Sequence, residues 1–165
     1  MSALLLVDFG DVKLSRLVAH ELRDRFEVEV IFASSALPNT RMREMQMNGE
    51  DMLSEVARTR LQHGAALALG FTDRDLYVPG MNFIFGLASR GDKVAIVSAC
   101  RLASRESEIL RLRLLKEAVH ELGHLHGLAH CADPLCVMHF SNSLADTDHK
   151  SPDFCRRCKH MLSLS

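Results

Sequence analysis

The hydrophobic positions along the chain follow two rhythms, one of period two and one of about 3.6. Residues 4–9 are nearly continuous in apolar side chains and predict a buried strand. Residues 11–26 carry Leu14, Leu17, Val18 and Leu22 at helical spacing. Val28, Val30 and Phe32 alternate and predict a second strand over residues 27–33. Residues 34–47, with Pro38 and several Met and Arg side chains, read as a long loop without chemistry of its own. A helix over residues 48–63, with Met52, Leu53, Val56 and Leu61 apolar, precedes a third strand over residues 65–71. Residues 72–80 are rich in turn formers and hold the only tyrosine, Tyr77. A short strand over residues 83–88 and a longer one over residues 93–100 are joined by the hairpin-like Ser89-Arg90-Gly91-Asp92. The last long helix begins near Ser104, a candidate N-cap, with Glu106 and Glu108 at the positive end of its dipole. Its core-facing stripe is Ile109, Leu112, Leu115, Val119 and Leu122. Beyond Gly127 the regular pattern stops and a cysteine-rich tail follows. The order β-α-β-α-β-β-β-α predicts a layered α/β domain with a mixed sheet.

Composition narrows the function classes. A chain of 165 residues with 47% apolar and 25% charged side chains is expected to form a single domain with a real core. A formal net charge of −1 argues against non-specific binding of nucleic acid or membranes as the main task. No apolar run reaches the length of a membrane span. The opening Met1-Ser2-Ala3-Leu4-Leu5-Leu6-Val7-Asp8 lacks a basic lead-in and reads as the first strand rather than a signal peptide. The expected compartment is the cytoplasm, where thiols stay reduced and clustered cysteines favour metal over disulfides.

The chemistry concentrates in His120-Glu121-Leu122-Gly123-His124-Leu125-His126-Gly127-Leu128-Ala129-His130. His120 and His124 lie one helical turn apart and face the same way. Gly127 can adopt a backbone angle that turns the chain back. His130 then reaches the same metal. Three neutral imidazoles leave a fourth zinc position open, the pattern of a catalytic site. Glu121 is the expected general base, taking a proton from water and passing it to the leaving amine. His-Glu-x-x-His alone recurs by chance on solvated helix faces. Gly127 and His130 each cut such matches by roughly an order of magnitude. His126 stands at a non-ligand position and reads as a polar surface or supporting group.

Cys131, Cys136, Cys155 and Cys158 form two pairs, Cys-x4-Cys and Cys-x2-Cys. Such pairs can each grip one side of a tetrahedral metal, and a structural zinc held by four thiolates is the expectation. Two local disulfides or unconnected buried thiols are the alternatives. Cys100 ends an apolar strand and reads as a core residue. His130 and Cys131 are adjacent, so losing the second metal is expected to loosen the third ligand of the first.

The eleven-residue motif, followed by Cys131, Cys136-Val137-Met138 and Cys155-Arg156-Arg157-Cys158, resembles the archaemetzincins, a branch of the metzincin clan of zinc peptidases. The signature residues cover about 98–159. Tyr77-Val78-Pro79-Gly80 and Phe83-Ile84-Phe85-Gly86-Leu87-Ala88 also resemble the family, more weakly. The resemblance implies a zincin-like domain over residues 1–165. Its upper part would be residues 1–127 with the active-site helix, and its lower part residues 128–165 around the structural zinc. It implies two zinc ions, and Met138 as the Met-turn methionine beneath the three histidines. It also implies a cleft whose rim is an antiparallel edge strand, placed at residues 83–88, able to pair with an extended peptide. Several metzincin branches offer a tyrosine soon after the Met-turn; the tail here has none.

The leading expectation is therefore a zinc peptidase acting on small or flexible peptides, with aminopeptidase-like action as one form of it. The alternative is a zinc ribbon whose Lys150, Arg156, Arg157, Lys159 and His160 touch nucleic acid or a protein partner. A third reading is a structurally intact but silent zincin. Glu121 speaks against it, because metal binding alone would not require that carboxylate.

Overall fold

A computed structural model describes residues 1–163. Five strands form the main sheet: β1 (Ala3–Phe9), β2 (Glu29–Ser35), β5 (Leu67–Thr72), β7 (Gly86–Ser89) and β8 (Val94–Ser98). Their order is β2-β1-β5-β8-β7. All neighbours run parallel except β7, which lies antiparallel to β8 at one edge. The helices are α1 (Ala19–Phe26), α2 (Gly49–His63), α3 (Ser107–Leu125), α4 (Leu144–His149) and α5 (Arg156–Ser163). The mixed α/β class expected from the element order is the class observed.

Alternation along the strands explains the layers. Leu5, Val7 and Phe9 of β1, with Ile96 of β8, face α2. Leu4, Leu6, Ala95 and Val97 face the other way, against α1, α3 and the C-terminal segment. Both faces of a parallel sheet are covered, so its strands read as apolar runs.

Several elements differ from expectation for local reasons. The helix expected over residues 11–26 begins only at Ala19. The Asp8 carboxylate accepts from Ser15 N (3.0 Å) and Ser15 Oγ (2.6 Å), and this holds the chain in a 3-10 turn, Ser15–Leu17. The expected loop over residues 34–47 holds two short strands, β3 (Met42–Arg43) and β4 (Gln46–Asn48), which join β6 (Leu76–Tyr77) in a small second sheet. The edge strand shifts from residues 83–88 to Gly86–Ser89. Ile84 bridges to Leu76 of the small sheet, so the chain is still crossing between sheets there. The N-cap of α3 is Glu106, with Ser104 Oγ accepting from Glu106 N at 3.2 Å. The strand expected to end at Cys100 stops at Ser98. Cys100 falls in a 3-10 turn and is exposed, which corrects its assignment to the core.

Helix α3 departs most from the amphipathic pattern. Leu112 of its expected core stripe is 36% exposed, whereas residues 114–123 are buried on every side. The C-terminal segment wraps the face that a surface helix would give to water. Burying Lys116 and Glu117 requires partners, because an unpaired buried charge is costly. Lys116 Nζ donates to the carbonyls of Thr147 (3.0 Å) and Asp148 (3.1 Å). Glu117 Oε1 accepts from Thr147 Oγ1 (2.9 Å) and lies 3.3 Å from Lys150 Nζ. Lys150, 1% exposed, also donates to the His139 carbonyl at 3.2 Å. It is thus unavailable to nucleic acid, and the tail loses one of the five basic residues that the ribbon reading invoked.

Lys150→Met is expected to lower the unfolding free energy by about 3–5 kcal/mol, because it strands the Glu117 carboxylate. Adding Glu117→Gln should recover much of that loss in urea denaturation of the metal-loaded protein. Equal stability of the single and double variants would show that the pair does not stitch the tail to α3.

Candidate metal centre

The ligand nitrogens of His120, His124 and His130 lie within 4.8 Å of one another. Helix α3 carries the first two, with Nε2 atoms 3.1 Å apart. His120 Nδ1 donates to the Val137 carbonyl (2.8 Å) and His124 Nδ1 to the Leu128 carbonyl (2.8 Å). A carbonyl only accepts, so each Nδ1 carries the proton and each Nε2 keeps its lone pair for the shared centre. Gly127, at φ 95°, turns the chain after the helix; Leu128 N bonds back to the Gly123 carbonyl at 3.0 Å. The turn delivers His130, whose ring lies 5.3 Å from that of His120 and 4.9 Å from that of His124. Burial pushes His120 down to about 2, and burial likewise lowers His130. Neutral imidazole is the form that binds a metal. His126 points elsewhere, donating to the Leu122 carbonyl and stacking on Phe26.

Glu121 is 5% exposed, at the foot of a cleft of about 820 Å³. Burial first, then the Glu117 carboxylate one turn away, raises it well above the carboxylate range. A cation among the imidazoles would pull it back down. Gly86 of β7 lies directly over it. A Cβ there would stand 2.9 Å from Glu121 Cγ and 2.9 Å from the Ile96 carbonyl oxygen. Only a bare backbone lets the edge strand pass this close to the carboxylate. The small sheet holds the rim beyond it: Arg43 donates to the carbonyls of Met81 and Asn82, each at 2.8 Å. The segment read as chemically silent therefore anchors the cleft. Ser141 Oγ, buried in the cleft wall, has no hydrogen-bond partner among the described residues.

Met138 is fully buried against α3. Its Sδ occupies the space that a Cβ at Gly123 would need, so Gly123 and Met138 interlock. That glycine, inside the motif, carried no signal in the sequence beyond its identity.

Cys131, Cys136, Cys155 and Cys158 are free thiols whose sulfurs also lie within 4.8 Å of one another. Cys131 and Cys155 Sγ are 3.8 Å apart. That is the edge of a tetrahedron of about 2.3 Å metal–sulfur bonds, about 3.8 Å, and too long for a disulfide. Backbone N–H groups of Met138 (3.4 Å) and Cys155 (3.3 Å) point at Cys136 Sγ, and that of Cys158 (3.5 Å) at Cys155 Sγ. The Cys158 N–H, helped by the neighbouring thiols of Cys158, Cys136 and Cys131, pulls Cys155 down to about 7, whereas burial raises Cys136 and Cys158. The donor set fits a thiophilic divalent cation, which alone would let four packed thiols ionise together.

A mixed sheet above a buried His-Glu-x-x-His helix, with a free antiparallel edge over the glutamate, defines a zincin-like protein. The chain belongs to peptidase family M54, whose sequence profile matches residues 22–164. It is 52% identical over 94 residues to the archaemetzincin of Methanopyrus kandleri, covering 57% of this chain and 54% of that protein. To the archaemetzincin of Pyrococcus horikoshii it is 52% identical over 104 residues, covering 59% and 55%. The aligned stretch thus spans about half the length of these relatives. Among solved structures, the archaemetzincin of Archaeoglobus fulgidus in complex with malonate superposes with a TM-score of 0.82 at 36% identity, covering 96% of this chain and 99% of that one. A zinc-dependent peptidase from Methanocorpusculum labreanum gives 0.85 at 29% identity, with the same coverage. The resemblance read from the motif is borne out.

Gly123→Ala should cost about 1–3 kcal/mol by overpacking against Met138, although Ala in a helix interior ordinarily stabilises by up to about 1 kcal/mol. In a Met138→Ala background the same change should cost far less, as measured by thermal unfolding. Identical costs in both backgrounds would contradict the interlock.

Proposed function

We propose that the chain is a zinc peptidase with two metal sites. His120, His124 and His130 hold the catalytic zinc, and Cys131, Cys136, Cys155 and Cys158 hold a structural one. One observation carries this reading: ring nitrogens of three imidazoles converge beside a buried carboxylate, under a free strand edge. A zinc ion bound there supplies Lewis acidity towards a substrate carbonyl and acidifies water.

The chain's own groups do the rest. Free N–H and C=O groups of β7 hold an extended peptide by strand addition and set its height above Glu121. Glu121 accepts the proton of the attacking water and delivers it to the departing amine. Its burial keeps that carboxylate out of bulk water, which raises its proton affinity towards the working pH. Met138 gives the histidines an apolar floor. Zinc held by the four thiolates would fix residues 131–158 and, through the Cys131 backbone, His130. Cys131 N donates to the Met138 carbonyl at 3.0 Å, so the same strut reaches the floor methionine. Residues 1–127 and 128–165 then act as upper and lower halves of one catalytic domain. Four clustered reduced thiols fit a reducing compartment such as the cytoplasm.

Glu121→Ala is expected to retain both zinc ions by elemental analysis and to lose peptide cleavage by at least about a hundredfold. Equal cleavage by both proteins would remove Glu121 as the base. Cys155→Ser with Cys158→Ser should lower zinc content by more than the one ion those residues hold, because His130 loses its anchor. Full retention of zinc at the histidine site would break the coupling between the two centres.

A further inference from the structure

The cleft carries charge unevenly along its length. Glu117, Glu121 and Arg90 are its charged lining residues apart from the histidines. Glu117 is paired with Lys150, and Glu121 lies against the backbone of Gly86. Arg90 has no charged partner among the described residues. It follows β7 in the tight turn to β8 and is exposed to the cleft. The neighbouring acid, Asp92, accepts instead from Ser89 Oγ at 2.7 Å. The guanidinium rests on the Gly127 turn, with Nη2, Cζ and Nη1 standing 3.0–3.4 Å from where a Cβ would be. Its backbone is pinned by the Lys93 N–H to the Arg90 carbonyl (3.2 Å).

These contacts give the cleft a direction. Gly86 stands over Glu121 and Arg90 over Gly127, so β7 runs along α3 in the same sense as the helix. Antiparallel pairing is the more stable way to add a strand. A peptide added that way to the free edge of β7 has its N-terminal residues at Arg90 and its C-terminal residues towards Glu117. Six residues of helical rise separate Glu121 from Gly127, about 9 Å. That distance equals two to three residues of extended chain at about 3.3 Å each.

We propose that Arg90 is a specificity-determining residue that selects peptides bearing an acidic side chain two to three positions before the scissile bond. The inference rests on the peptidase reading and deepens it by naming the substrate class. A guanidinium pairs with a carboxylate by charge-assisted, bidentate hydrogen bonds, and the desolvating wall of the cleft strengthens them. The same cation disfavours a substrate whose own ammonium terminus falls at that point. Peptides that are internal or N-terminally blocked at that distance are therefore better substrates than those whose free terminus lies two to three residues before the bond.

The test uses N-acetylated fluorogenic peptides with Glu, Gln or Lys placed at each position on both sides of the bond. Zinc-loaded wild type should cleave the Glu peptide about three- to tenfold faster than the Lys peptide, measured as kcat/KM, at one of the two positions named. The ratio should shrink as salt rises and invert in Arg90→Glu. Binding of the same peptides to Glu121→Ala, read by fluorescence anisotropy, should show the same order without turnover. A charge-independent rate, a preference confined to the C-terminal side, or a ratio unmoved by Arg90→Glu would overturn the assignment while leaving the peptidase reading intact. Absence of cleavage in every peptide would instead fail the peptidase reading, and the anisotropy ratio would still decide the role of Arg90.

Discussion

The architecture depends on the burial of α3 from both sides over residues 114–123. A helix between a sheet and a wrapped tail has no water to satisfy its polar side chains. Each must find a protein partner or a metal. Lys116 finds carbonyls, Glu117 finds Thr147 and Lys150, and His120 finds the Val137 carbonyl with one nitrogen. The other imidazole nitrogen and the Glu121 carboxylate are left facing the cleft. The same constraint that makes burial costly thus aims the chemistry outward.

The wrapping segment packs Leu128, Val137 and Met138 into the core, with Leu144 and Phe154 against it. Two further devices hold it: the Glu117–Lys150 pair at the level of α4, and the four thiols nearer the Met138 turn. Both meet the segments flanking the histidine cluster through backbone, at the His139 carbonyl and at the Cys131–Met138 hydrogen bond. Stability of the lower wall and geometry of the histidine centre are therefore one property, reached by short covalent paths.

Legibility in the sequence followed the range of each interaction. His120, His124 and His130 could be read because a helical turn and a glycine-dependent bend are local. The cysteine pairs could be read because short spacings are local as well. Gly86 and Gly123 could not, since each matters through what a side chain would strike: Glu121 across the cleft and Met138 below it. Lys150 looked like a solvated tail cation because its partner lies 33 residues earlier in the chain. Arg43 looked like loop composition until the small sheet set it against the Met81 and Asn82 carbonyls. The stripe expected on α3 placed Leu112 inside and did not include Lys116, which is buried. Wrapping by the tail buried Lys116, because periodicity assumes that one face of a helix meets water.

The central claim is that two chemically distinct zinc centres share one lower wall. X-ray absorption at the zinc edge of the fully loaded chain measures this directly. The account predicts about two zinc ions per chain, one with sulfur neighbours at about 2.3 Å and the other with nitrogen or oxygen neighbours at about 2.0–2.1 Å. The sulfur count should average about two per zinc. A single zinc with mixed imidazole and thiolate ligands, or a spectrum without sulfur, would contradict it.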